Sequence, residues 1–422
     1  MEKTYNKKRP WIRDDKNLPL KLLFFFIWPF GCFLYSIKTA NAKTSYIIFF
    51  LFSILICWHM TPVNLHGAYD DFIGILLRFQ DESYTFQQLL TEISKIVSFD
   101  DDAPKEIYEH VLNWFVKCFT DNYHFFFMFA SIPVALCQLG TLRRITGDYR
   151  YRNDIWGIIA LICFIVPRDI ITVQNPRFTT GLWICIFFSI QYLCENRKIK
   201  YLIPILLAPF IHSGMWLYTI ICVMYIFVAC SRSIYRLFAL ITIPLAFFDA
   251  NLLQNLQLNI LPDGLRSWAE YYISDESYSK FVLNSEGTGF AWVTTAFDLL
   301  KKIIVVLMTI TLIKNEKVVD QNVESSSLYN FYLFLYGVTN IIQFVPVLGA
   351  RYFWFVQILC FLIWYKTLYY TYRKISLLLL FSYSFGMLIR YGYLWGGALS
   401  VTTPLDLYYT PLPYLIISCL NI

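Results

Sequence analysis

The chain has 422 residues, of which 57% are hydrophobic and only 15% charged, and its mean hydropathy is +0.51. That balance excludes an ordinary soluble domain and predicts an all-α polytopic membrane protein, a single integral membrane domain over residues 1–422. The net charge of +6 is small and scattered, which argues against a nucleic-acid partner; most of the eleven cysteines lie inside apolar runs without a CxxC pair, which argues against disulfides and metal ligation.

In chain order, the first 18 residues are basic and polar, and no small-residue cleavage site follows the first apolar run, so no cleavable signal peptide is expected. A membrane-crossing helix needs roughly 17–25 apolar residues. Segments 44–62, 123–141, 155–171, 178–194, 234–250, 290–313, 328–348, 352–371 and 375–394 qualify. Two others are interrupted: 19–37 by Trp28-Pro29-Phe30-Gly31, and 201–229 by Pro204, Pro209 and His212-Ser213-Gly214. Each reads as a broken or re-entrant pair of half-helices, tolerated where protein or water covers the freed backbone. The expected total is about 10–12 transmembrane or re-entrant helices.

Loop charge sets the orientation. Lys7-Lys8-Arg9, segment 142–154 and segment 195–200 are basic and read as cytoplasmic. Residues 63–122 carry eleven acidic side chains against four basic ones, and 251–289 carry five against two. Both are read as long extracytoplasmic loops. The same parity places Arg168, Arg177, His212, Arg266 and Arg351 at the outer face, where an arginine cluster suggests an anion.

Arg177 follows Asn175-Pro176 and opens an apolar run, so Pro176 suits the first helical position and Arg177 stands beside free helix N–H groups, an arrangement suited to phosphate. The alternative is a juxtamembrane arginine on lipid headgroups. Arg351, in Gly349-Ala350-Arg351-Tyr352, lies between two apolar runs and is a second phosphate candidate, with snorkelling as its alternative. Arg168 is a third, although Asp169 beside it offers a local ion pair. His212 coincides with a Pro-rich break and suits either a base or a hydrogen-bonded helix breaker. Asp70 and Asp71 head an amphipathic stretch and suit either the handling of a hydroxyl proton or a helix N-cap. Arg266 and Glu106 are further candidates; Glu106 begins a segment whose apolar spacing suits an interfacial helix. No metal ligand set, and no nucleotide, zinc-protease or serine-hydrolase motif, is found.

Asn175-Pro176-Arg177-Phe178-Thr179-Thr180-Gly181, then a span, Lys198-Ile199-Lys200-Tyr201 and Ile211-His212-Ser213 resemble the core signature of the EpsG family, which is similar to the Wzy-type polymerases of exopolysaccharide and O-antigen. The Asp70-Asp71 loop, the Glu106-to-Phe127 stretch with Phe119-Thr120-Asp121-Asn122, and Gly349-Ala350-Arg351-Tyr352 are similar too, so the resemblance covers roughly residues 45–375. It implies a GT-C-like membrane glycosyltransferase, with amphipathic helices in its outer loops. Such an enzyme joins undecaprenyl-pyrophosphate-linked repeat units at the outer face of the bacterial cytoplasmic membrane, for capsule, exopolysaccharide or O-antigen. Arg177, Arg351 and Arg168 would hold the pyrophosphate, and His212 or Asp70/Asp71 would orient or deprotonate the acceptor hydroxyl. No cofactor is implied; membrane lipids and other glycan-assembly proteins, such as a flippase or chain-length regulator, would be partners. The competing reading is a transporter or flippase for a lipid-linked glycan, which uses the same arginines as substrate contacts.

Overall fold

The computed structural model describes residues 17–40, 42–62, 71–81, 85–98, 106–146, 154–157, 176–195, 197–228, 230–247, 291–343, 345–395, 401–402 and 405–420. In chain order its helices are α1 (Leu18–Ile27), α2 (Pro29–Ile37), α3 (Lys43–Trp58), α4 (Asp71–Asp81), α5 (Phe86–Ser98), α6 (Tyr108–Lys117), α7 (Tyr123–Thr146), α8 (Pro176–Cys194) and α9 (Ile203–Leu207). They continue as α10 (Met215–Phe227), α11 (Arg232–Thr242), α12 (Ala291–Lys314), α13 (Glu316–Asp320), α14 (Val323–Ile342), α15 (Pro346–Thr367), α16 (Arg373–Trp395) and α17 (Leu412–Leu420). The only strands among the described residues are β1 (Thr61–Pro62) and β2 (Val401–Thr402), paired antiparallel with Thr61 opposite Thr402. The fold class is therefore all-α, as expected.

Among the described residues, three helical stretches are long and apolar enough to cross a membrane: Tyr123–Arg144, Pro176–Cys194 and Leu348–Thr367. Against the 10–12 expected crossings, α1, α3, α10 and the stretch Ile199–Phe210 are apolar but shorter. Helix α14 has the length, but its serines, tyrosines and asparagines lower its hydropathy. Span 155–171 lies almost wholly outside the described residues. The helices make this an integral membrane protein.

The chain forms two compact units, one comprising residues 1–188, 203–215 and 399–422, the other 189–202 and 216–398. In the first, the 19–37 element is broken at Trp28, whose extended backbone (φ −151°, ψ 90°) separates α1 from α2, with Pro29 opening the second half where its missing N–H is no loss. The Trp28 ring folds back over Gly31, where a Cβ would lie 2.0 Å from ring carbon, so only glycine fits. Lys21 is buried in this apolar hairpin, and its ammonium donates to the hydroxyls of Thr39, Thr44 and Ser45 at 3.0, 2.9 and 3.0 Å.

Helix α3 packs along α7, and α4 and α6 close over them. Ile75, Leu76 and Phe79 from α4 meet Leu112 and Val116 from α6, with Phe126, Phe127 and Ala130 from α7. Helix α6 buries Glu109 and Asn113 together with Leu112 and Val116, and leaves Val111 and Phe115 exposed. A helix that hides its charge must pair it, and that requirement builds the site below.

The last residues return to this unit. Trp28 Nε1 donates to the Tyr408 carbonyl at 2.8 Å, and Asn122 Nδ2 to that of Cys419 at 2.7 Å. The His59 ring bridges the carbonyls of Leu55 (2.8 Å) and Leu415 (3.0 Å). In the second unit α14 is central, packed on α11 and α15 with Tyr329, Tyr332 and Tyr336 fully buried. Arg232 forks onto Asp320 at 2.6 and 2.7 Å and also reaches Ser326 and Asn330, tying α11 to the start of α14.

Candidate active site

Helix α8 begins at Pro176, as its sequence dictates, so Arg177 stands in the first turn, where backbone N–H groups have no intrahelical acceptor. Thr179 and Thr180 behind it are buried. The Arg177 guanidinium faces two carboxylates of the α6 segment: Nη1 lies 3.0 Å from Glu106 Oε2, and Nε lies 3.3 Å from Glu109 Oε2. These are charge contacts without directed hydrogen bonds, since neither Arg177 Nε nor Glu106 Oε2 has a hydrogen-bond partner among the described residues. Glu106 precedes the helix and Glu109 lies in its first turn, and both carboxylates face Arg177.

Glu109 is better held by Arg78 of α4, whose Nε donates to Oε1 at 2.7 Å and Nη2 to Oε2 at 3.3 Å. With its side chain 5% exposed, Glu109 thus bridges two guanidinium groups. Asn113, one turn further along α6, is fully buried, and neither of its amide atoms has a partner among the described residues. Tyr108 receives a 3.5 Å bond from the Thr180 hydroxyl; burial of its own hydroxyl pushes it up to about 12, outweighing that bond.

The third component comes from the interrupted stretch 203–215. Helix α9 passes into a tight turn at Ala208–Phe210, the chain turns through Ile211–Gly214, and α10 starts at Met215. The Ile107 N–H donates to the Phe210 carbonyl at 2.9 Å, which stitches this break to the start of α6. Ser213 then donates to Glu106 Oε1 from both its backbone N–H (3.0 Å) and its hydroxyl (3.1 Å). His212 is buried, edge-on to Phe178, with Nε2 3.8 Å from Glu106 Oε1 and Nδ1 accepting the Gly214 N–H at 2.9 Å. A Cβ at Gly214 would lie 2.9 Å from His212 Nδ1, so glycine permits this approach.

Arg177, His212 and Glu106 are therefore brought together. Arg351 belongs to the other unit and lies in the second turn of α15, not in the connecting turn expected from its sequence, because Pro346 already starts the helix. Gly349 lets this helix start approach Gln343, whose Cα would stand 2.7 Å from an added Cβ. Asp71 opens α4, whereas Asp70, Arg168 and Arg266 lie outside the described residues. Sequence reasoning missed Arg78 and the role of Glu109. The available signal was that Arg78 is the one Lys or Arg between Val63 and Ser94, set between Leu77 and Phe79.

No curated protein and no solved structure matches the chain. The profile of the EpsG family matches residues 47–395, which takes in α4 through α16 and every site residue named above. With well over half of its length matched, the chain belongs to the EpsG family.

Proposed function

We propose that this protein is a metal-independent membrane glycan polymerase that joins undecaprenyl-pyrophosphate-linked repeat units at the outer face of a bacterial cytoplasmic membrane. Family membership makes it a polysaccharide polymerase-like membrane enzyme acting on a lipid-linked glycan; the donor, the face and the GT-C-like architecture are our reading. One observation carries it: Arg177 of the family motif stands at the start of an apolar helix beside His212 and two carboxylates.

The chemistry suits those groups. A diphosphate is already a good leaving group, so the protein's task is to hold it and stabilise the charge that develops. Arg177 presents a fork to phosphate, with the first-turn N–H groups of α8 beside it. Arg351 and Arg168 are further phosphate candidates, and Asp70 or Asp71 candidates for orienting the acceptor hydroxyl. The membrane position fits an acceptor that is also lipid-linked.

The test is polymerisation by purified protein in nanodiscs, supplied with the native lipid-linked repeat unit. A ladder of longer glycans with release of undecaprenyl pyrophosphate is expected, insensitive to EDTA and reduced about 10²- to 10³-fold by Arg177→Ala. Arginine-dependent movement of the lipid between leaflets without a ladder would replace this reading with a flippase.

A further inference from the structure

The two carboxylates beside Arg177 differ in what they have left to give. Both oxygens of Glu109 are occupied by the Arg78 fork, and Oε2 also faces Arg177. Glu106 is anchored through Oε1 by the two donors of Ser213, while among the described residues no N–H makes a hydrogen bond to Oε2, although Arg177 Nη1 is 3.0 Å away. Glu106 thus has a fixed side chain and one buried acceptor oxygen that has no hydrogen-bond partner among the described residues and stands beside the Arg177 guanidinium.

The hydrogen bonds of His212 settle its tautomer. A backbone N–H can only donate, so Nδ1, 2.9 Å from the Gly214 nitrogen, must be the lone-pair nitrogen. The proton of the neutral ring then sits on Nε2, the nitrogen on the Glu106 side. In this state Nε2 has no lone pair to offer and that of Nδ1 is engaged. Gaining a proton at Nδ1 would set two N–H groups against each other. His212 is built to donate, not to accept.

Resting on the polymerase reading, we propose that Glu106 is the base that takes the proton of the acceptor hydroxyl, and that His212 is a fixed hydrogen-bond donor beside it. The acceptor hydroxyl oxygen forms a bond to the anomeric carbon of the donor glycan. The bond from that carbon to the diphosphate oxygen breaks, and its electron pair leaves on undecaprenyl diphosphate, held by Arg177. The hydroxyl proton passes to Glu106 Oε2 and later to water. Arg177, lacking a directed bond to Glu106, is free to turn its N–H groups to the diphosphate.

The experiment measures initial polymerisation rates against pH, together with binding of undecaprenyl diphosphate and thermal unfolding, for wild type, Glu106→Gln, Glu106→Asp and His212→Gln. Glu106→Gln is expected to lower kcat about 10²- to 10⁴-fold, to bind undecaprenyl diphosphate within threefold of wild type, and to lose the acidic limb of the pH profile. Glu106→Asp recovers part of the rate. His212→Gln, whose amide still donates, falls about tenfold and keeps the acidic limb. The proposal is overturned if His212→Gln removes that limb while Glu106→Gln keeps it, or if Glu106→Gln loses diphosphate binding and stability along with rate. Absence of a ladder from wild type would instead overturn the polymerase reading itself.

Discussion

Ser213 reaches across 107 positions of sequence to place two hydrogen bonds, 3.0 and 3.1 Å, on a single oxygen of Glu106. One donor is the backbone N–H, which an alanine keeps; the other is the hydroxyl. Ser213→Ala is therefore expected to loosen Glu106 without releasing it. The polymerisation rate should fall about three- to tenfold with undecaprenyl diphosphate binding unchanged, and an unaltered rate would show that Glu106 needs no such anchoring.

Arg78 holds Glu109 with two N–H groups, Nε on Oε1 and Nη2 on Oε2. Removing it leaves a buried carboxylate supported only by the looser Arg177 contact. Because the Arg78 side chain is 40% exposed, water screens part of the loss. Arg78→Ala should destabilise the first unit by about 1–3 kcal/mol, read as a lower unfolding temperature in detergent, with Arg78→Lys intermediate. The double variant Arg78→Ala/Glu109→Gln should regain stability, since it removes the orphaned charge as well.

Burial holds the Tyr108 hydroxyl protonated up to about 12, against 10 for the free side chain. The unfolded chain loses this proton first as pH rises, so stability falls between pH 10 and 12 and is intact below 10. A shift of that size is worth roughly 3 kcal/mol for this one group. Tyr108→Phe should flatten that alkaline decline relative to wild type and leave stability near pH 7 almost unchanged, because the hydroxyl bond it gives up, the contact with Thr180, is long at 3.5 Å. Equal alkaline slopes for the two proteins would mean the hydroxyl is not held neutral.

Gly214 supports His212 by its lack of a side chain. An alanine methyl there would stand 2.9 Å from Nδ1 and 3.0 Å from Cε1, so the ring must tilt and the Gly214 N–H bond must lengthen. Gly214→Ala is expected to reduce polymerisation about tenfold or more with little change in unfolding temperature. A wild-type rate would show that His212 orientation does not matter.

The helical frame was legible in the sequence because apolar run lengths and proline positions are local. The run 178–194 became α8 with Pro176 at its first position, 375–394 became α16, and the Trp28-Pro29 and His212-Ser213-Gly214 breaks fall where the sequence interrupts its own periodicity. Arg177 and His212 stood out because charge and imidazole are costly in hydrocarbon. Arg78 and Glu109 did not. Each sits in a segment that reads as an ordinary amphipathic helix, and what distinguishes them is a pairing 31 residues apart that no helical period encodes. Glu106 was visible only as an acidic helix start; its meaning comes from Ser213, brought to it by the Ile107–Phe210 backbone bond. Arg351 was misjudged locally, as a turn residue, because the helix-starting power of Pro346 outweighs the glycine that follows it.

The unit that carries Arg177, Glu106 and His212 is assembled from both ends of the chain, with the strand pair Thr61–Thr402, the Trp28 indole on Tyr408 and the His59 ring on Leu415 as its seams. Translation delivers those seams in the wrong order for early completion. The amino-terminal helices enter the bilayer while their closing partner is still unmade, and throughout that interval the carbonyls and ring nitrogens of the seam wait without their partners. The unit therefore stays incomplete until α17 has been made, so this short helix sets when the site can close into its final form.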